Sequence, residues 1–259
     1  MGFIRFMDYN PAVFLLVLAR AGALVLTAPV FGAGETPLRI RLGFAFALAV
    51  VIAPLVKEGA STDAALFVAA IACEAVAGAA IGFAMRLVFA GVEYAGEVAS
   101  AQMSLGLGAV YDPASAPMRS PVGRFFTVFA VLVFLSMNGH LMVIGAFARS
   151  FEAAPAGAFV LAPAFMERMI VFSKEVFIIA VKLSAPIIAV SLFVNAACVI
   201  VARSVPGLDI LTVMFTAAIA AGLLMIMLSI SSFEAALAMI FDRMFDGITV
   251  LATGGGHAV

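Results

Sequence analysis

Apolar residues run through this chain in long blocks separated by short polar joints. Six blocks read as membrane-type helices, near or above the about 20 residues that a bilayer core requires: residues 11–31, 42–56, 64–92, 125–147, 169–202 and 210–232. The second is short. The fifth is too long for one simple span at about 1.5 Å per residue, and Pro186 within it is expected to bend it. The joints carry helix breakers, as in "FGAGETPLRIR", "KEGASTD" and "SVPGLD". The tail "ATGGGHAV" predicts a disordered end.

One interruption differs from the others. "MSLGLGAVYDPASAPMRSPVGRFF" lies between two apolar blocks and carries Gly106, Gly108 and Gly123 together with Pro113, Pro117 and Pro121. The glycines let the chain fold back, and the prolines forbid a continuing helix. Asp112 before Pro113 favours a turn. The charge is low: one acid and two arginines.

The residues just before it are patterned. In "GVEYAGEVASAQMS", Glu93, Glu97, Ser100 and Ser104 recur at i, i+4, i+7 and i+11, one polar stripe on a helix. Tyr94, Val98, Ala101 and Leu105 fall on the other side. Two acids at i, i+4 repel modestly, so the stripe needs water or a cationic partner. Both a solvated face of a loop helix and a face lining an aqueous conduit satisfy that need. Gly78 and Gly82 form a small-xxx-small pair that permits close helix contact in lipid, and "TAAIAAG" at 216–222 has the same character.

Composition sets the class. The chain has 259 residues, 65% hydrophobic and 11% charged, with a mean hydropathy of +1.22. A soluble domain is about half apolar and a quarter charged, so this is an integral membrane protein. Lys and Arg (14) nearly cancel Asp and Glu (15), and no basic tract occurs, which leaves nucleic-acid binding without support. Cys73 and Cys198 sit in apolar runs and read as small buried hydrophobes. The N-terminus has some features of a signal peptide. Arg20, inside its apolar stretch, argues for a retained first helix instead.

Arg20, Glu74, Arg86, His140, Lys174, Glu175 and Lys182 fall inside the apolar blocks. A charge at mid-bilayer costs about 2.5–3.5 kcal/mol on insertion scales, so these groups should face protein, water or a partner. Pairing between helices is the favoured reading over a proton or substrate pathway. Basic residues in the joints divide evenly between the two sides, so the positive-inside rule gives no orientation. The tie hints that these helices are not all independently inserted spans. No nucleophile–base pair, metal cluster or phosphate-binding loop stands out. An enzyme, a cofactor and a metal site are therefore not expected. A small-molecule secondary transporter is the alternative from another class, but no inverted repeat is apparent.

"EYAGEVASAQMSLGLGAVYDPASAP", followed by "FLSMNGHLMVIGAFARSF", resembles the FliR family of flagellar export-gate proteins. So does "ARAGALVLTAPVFGAGETPLRIRLGFAFALA", with Arg20, Ala28-Pro29, Pro37 and Arg41. The likeness spans roughly residues 11–232. It implies an all-α polytopic membrane protein whose helical hairpins pack in a hetero-oligomeric export gate. Residues 1–162 would be a FliP-like part and residues 163–259 a FliQ-like hairpin part. One such subunit would complete a channel of FliP-like and FliQ-like subunits in the bacterial inner membrane, within the flagellar basal body. FlhB-like and FlhA-like components and unfolded exported proteins would be further partners. Residues 106–124 would be a plug loop, closed until substrate arrives, with Leu105, Gly106, Leu107, Gly108, Val110, Tyr111, Asp112, Pro113, Pro117 and Met118 as its gate residues. Virulence type III secretion homologues share part of the pattern.

Overall fold

In the computed structural model, helices follow the apolar blocks and no β-sheet forms among the described residues, which are 10–29, 36–56, 64–105, 120–159, 163–204 and 209–252. The helices are α1 (Pro11–Thr27), α2 (Leu38–Ile52, continued by a 3-10 turn Ala53–Leu55), α3 (Ala64–Gln102), α4 (Pro121–Ser136), α5 (Gly139–Ala153), α6 (Pro163–Ser204) and α7 (Ile210–Ala252). The protein is all-α and polytopic: among the described residues, four helices are long and apolar enough to cross a membrane, and the α4–α5 pair is a fifth candidate.

Local chemistry sets the boundaries. α1 begins where the Asn10 side chain accepts the N–H of Ala12 at 3.1 Å, with Pro11 in the first helical position, where its missing N–H costs nothing. It ends ahead of Pro29, since a residue preceding proline is disfavoured in the α region. α4 repeats the same start: Ser120 Oγ accepts the N–H of Gly123 at 2.9 Å, and Pro121 follows. At the head of α7 the exposed Asp209 carboxylate accepts the Thr212 hydroxyl at 2.6 Å. That bond, and then the Thr212 backbone N–H, holds the Asp209 pKa below its ordinary value.

Three blocks differ from the expectation. The stretch 125–147 is not one helix: it breaks between α4 and α5, where Asn138 adopts a left-handed φ of 57°. The Asn138-Gly139 dipeptide is a turn signal that carries this break. The block from 64 runs on without interruption to Gln102, and that from 210 runs on to Ala252. The later acids of α7, Glu234 and Asp242, are exposed, so they cost the helix little. α6 stays helical through Pro186, although the proline offers no N–H to the Lys182 carbonyl.

The chain forms two compact units, to which α3, α6 and α7 each contribute. The first comprises Met1–Leu87, Asn138–Ser173 and Phe241–Val259. Within it α1 packs on α2, with Phe14 and Phe46 edge to face at 5.6 Å, and Val13, Leu16, Val17 and Leu24 fully buried. The second comprises Val88–Met137 and Lys174–Ile240. Its core includes the edge-to-face pairs Phe89–Phe134 (5.7 Å) and Phe126–Phe233 (5.4 Å). A Cβ on Gly91 would come within 3.0 Å of Ile179, so α3 and α6 approach closely there. These units cut across the division at residue 162, which is a division by likeness and not by compactness.

Candidate functional site

Both ends of the loop singled out in the sequence are built into the second unit. At its entry, α3 closes with a left-handed residue. The Ser104 N–H donates to the Ala101 carbonyl (3.1 Å) and the Leu105 N–H to the Ser100 carbonyl (3.0 Å), with Ser104 at φ 59°. This is the Schellman arrangement that satisfies the last carbonyls of a helix. Glycine is the usual residue there; serine accepts a modest backbone strain. Met103, fully buried, fills the notch left by Gly222 on α7, where a Cβ would overlap its side chain.

At the exit, the Glu97 carboxylate accepts the backbone N–H of Ser120 at 2.8 Å. Ser120 in turn caps α4. Gly96 and Gly123 touch backbone to backbone, since a Cβ on Gly96 would overlap the Cα of Gly123. The chain that leaves α3 at Leu105 therefore returns to the same helix about two turns earlier. The glycines serve this closeness, and the acid stabilises the positive N-terminal end of α4. Gly106, Leu107, Gly108, Val110, Tyr111, Asp112, Pro113, Pro117 and Met118 lie outside the described residues; Leu105 is half-buried.

The polar stripe is thus partly inward. Glu93 and Glu97 are half-buried and Ser100 is 2% exposed, whereas Tyr94 on the other side is exposed. Ser100 Oγ has no hydrogen-bond partner among the described residues. Ser104 does not extend the stripe, because the helix ends before it and its φ turns left-handed. One turn from the loop's entry, Gln102 accepts the Ser191 hydroxyl of α6 at 3.2 Å.

A second cluster, in the first unit, unites residues that the sequence marked separately. Glu74, Gly78 and Gly82 line one stripe of α3 against α1. A Cβ on Gly78 would overlap the Arg20 carbonyl oxygen, and one on Gly82 would overlap Thr27 Oγ1 and lie 2.8 Å from the Leu24 carbonyl. One turn earlier, the fully buried Glu74 pairs with the buried Arg20 Nε. The other guanidinium nitrogens donate to Ser150 Oγ (2.8 Å) and the Ala154 carbonyl (3.2 Å). The second Glu74 oxygen accepts the Gly157 N–H at 2.9 Å. Each polar atom of the pair is occupied, which is the condition for a buried ion pair to be tolerated. The pair pins the turn after α5 to α1 and α3. The i, i+4, i+8 spacing of Glu74 with Gly78 and Gly82 was the signal that could have joined them.

Of the remaining ionisable groups in the apolar blocks, Arg86, Lys174 and Lys182 are exposed, and Glu175 and His140 are half-buried. Among the described residues no three His, Cys, Asp or Glu side chains converge in a way that could hold a metal ion.

The sequence matches the family model "Bacterial export proteins, family 1" over residues 12–244. The chain belongs to that family, as a FliR-type flagellar export protein. It is 32% identical to the flagellar biosynthetic protein FliR of Bacillus subtilis, over 86% of this chain and 88% of that protein. It is 29% identical to FliR of Pectobacterium carotovorum, over 93% and 92% of the two chains, and 30% identical to FliR of Escherichia coli, over 80% and 79%. These relatives are named as biosynthetic proteins and not as enzymes. The chain is thus a membrane component of the flagellar export apparatus.

Proposed function

We propose that this subunit completes a hetero-oligomeric helical channel with FliP-like and FliQ-like proteins in the inner membrane, and that residues 106–124 plug it until an unfolded substrate enters. One observation carries the assembly. α6 has 42 residues and α7 has 43, so each measures about 63–65 Å along its axis. Each holds an 18-residue window of mean hydropathy 2.4, within Met169–Ser204 and Ile210–Ile248. A hydrocarbon core is about 30 Å thick, and tilting by about 40° brings only about 39 Å of helix into it. Large side chains stand outward along both helices, among them Phe177, Leu192, Phe193, Met227 and Leu228. Lipid covers part of that surface; the rest needs apolar protein, which partner helices supply. The two-part plan, residues 1–162 FliP-like and 163–259 FliQ-like, accords with this need.

The plug reading is supported by the anchored roots of the loop. Irregular backbone is tolerated at membrane depth only where protein buries it or water lines it. A glycine- and proline-rich segment of low charge, tied at Leu105 and Ser120, can block a pore and still be displaced. FlhB-like and FlhA-like components would deliver substrate to the channel. Co-expression with FliP-like and FliQ-like subunits, followed by purification through a tag on this chain, tests the reading. A single detergent-stable complex containing all three is expected. A well-behaved monomer that leaves both partners behind overturns it.

A further inference from the structure

We infer that Lys182 is an assembly residue: its ammonium pairs with a carboxylate on an apolar helix of a neighbouring gate subunit. The inference rests on the assembly proposed above and adds the chemistry of one contact within it.

The ionisable groups inside the apolar blocks fall into two kinds. Arg20 and Glu74 answer each other, and the chain buries both completely. Lys182 is the opposite case. It lies on the outer face of α6 and is exposed, with no hydrogen-bond or ion-pair partner among the described residues. Its surroundings are not polar. Phe177 is 75% exposed, Val181 64%, and Ile178 and Ala185 also face outward. Whatever covers those side chains also encloses the ammonium, which a purely apolar cover would leave desolvated and uncompensated.

Lys182 lies 13 residues inside the stretch that begins at Met169, about 20 Å along the helix, and 22 residues from its end at Ser204. That stretch is longer than the bilayer, so a membrane surface can fall beside Lys182, where its stem would snorkel to anionic headgroups; the test below separates that cover from a protein one. A protein cover is required in any case by a stretch longer than the bilayer. For a cation within an apolar face, charge complementarity selects a partner helix that is itself apolar and carries one carboxylate. Such a contact fixes axial register as well as affinity, because a slip of one turn would unpair both charges.

The nearest acid on the same helix does not remove the need. Glu175 lies seven residues back, about 10 Å along the axis, and is half-buried. Pro186 sharpens the position, since the Lys182 carbonyl has lost its usual helical donor.

The test uses the full complex, co-expressed and purified through a tag on a partner subunit. A zero-length carbodiimide cross-linker joins an ammonium to a carboxylate in direct contact, and mass spectrometry identifies the linked peptides. The expected result is a Lys182 link to an Asp or Glu of a partner subunit. Lys182→Gln and Lys182→Glu should lower the yield of assembled complex, the second by about tenfold or more, while Lys182→Arg retains most of it. The site is exposed, so these substitutions leave the fold of the isolated chain intact, and Lys174→Gln serves as a matched control. If the wild-type complex forms but Lys182 yields no link and Lys182→Glu assembles at parental yield, this inference falls and the assembly stands. Loss of bound anionic lipid from Lys182→Gln with assembly intact overturns it in favour of a headgroup. Failure of the wild-type chain to co-purify removes both.

Discussion

The guanidinium of Arg20 lies 3.9 Å from the centre of the Phe151 ring while its Nε holds Glu74, so one side chain on α1 meets both α3 and the end of α5. Cation–π contact and a hydrogen bond from each guanidinium nitrogen compensate the buried charge. Breaking one side leaves the other charge buried and alone, at a cost of about 3–5 kcal/mol. Arg20→Met or Glu74→Leu alone should therefore abolish accumulation of folded protein or lower its thermal midpoint sharply. The double variant should recover much of the loss, because no charge is stranded. Thermal unfolding in detergent, alongside membrane yield, reads the difference; a double variant as damaged as the worse single variant would contradict this account.

Gly78 and Gly82 are read against their own chain's α1, not against a partner. Gly78→Ala drives a methyl group into the Arg20 backbone, where nothing flexible can yield. A destabilisation of at least about 1–3 kcal/mol is expected, as for overpacked cores. Gly22→Ala, with open space around its Cβ, should be neutral or mildly stabilising. Comparing thermal midpoints of the isolated subunit separates a fault in its own fold from one in assembly.

Much of this architecture is legible from periodicity alone. The starts of α3 and α7 follow from uninterrupted apolar blocks flanked by breakers, and the 169–202 block lies within the longer α6, which stays helical through Pro186. What periodicity cannot encode is partnership. Arg20 and Glu74 are 54 residues apart, and a hydropathy pattern marks each as anomalous without joining them. The break at Asn138 was hidden because apolar residues continue on both sides of it, although Asn-Gly is a local turn signal. Ser104 was assigned to a stripe by spacing, but spacing carries meaning only while the helix lasts. The far end of α7 carries Glu234, Asp242 and Asp246, which end the apolar run, and only their exposed positions show how the helix continues past them.

Glu97 and Ser120 form the tie at the exit of the loop. Removing the acceptor by Glu97→Ala frees the Ser120 N–H, and hydrogen exchange at that amide should accelerate by about 10- to 100-fold, corresponding to about 1.5–3 kcal/mol for a bond to a charged group. Glu97→Gln retains an oxygen acceptor and should fall between the two. Gly123→Ala should mimic the alanine variant, because its new methyl would overlap the Glu97 carboxylate. Exchange at the α1 C-terminal amide of Ala28, bonded to Leu24 in the other unit, is the internal reference and should not change.

Deleting residues 110–118 tests whether the loop seals the channel. The deletion keeps both anchors: Leu105 with its Schellman bonds, and Ser120 with its bond to Glu97. Residues 106–109 and 119 remain to join them. Leu105 and Glu97 are about 12 Å apart along α3, and neighbouring helix axes lie about 8–10 Å apart, so the gap to Ser120 is about 15 Å. Six Cα–Cα steps reach about 20 Å when extended, and the shortened loop can close without pulling either helix. Assembly with partner subunits should therefore be normal. If the loop is the plug, cells expressing the assembled deletion variant should lose proton motive force and conduct small ions, since too little of this glycine- and proline-rich, weakly charged segment would remain to fill the opening. Export should persist at lower fidelity, because a plug restrains the pore and does not drive transport. Membrane potential, ion conductance and secretion of a reporter substrate are the measurements. An assembled deletion variant as tight as its parent would move the seal to the partner subunits, and the anchored roots at Leu105 and Ser120 would then be read as a fixed connection between α3 and α4.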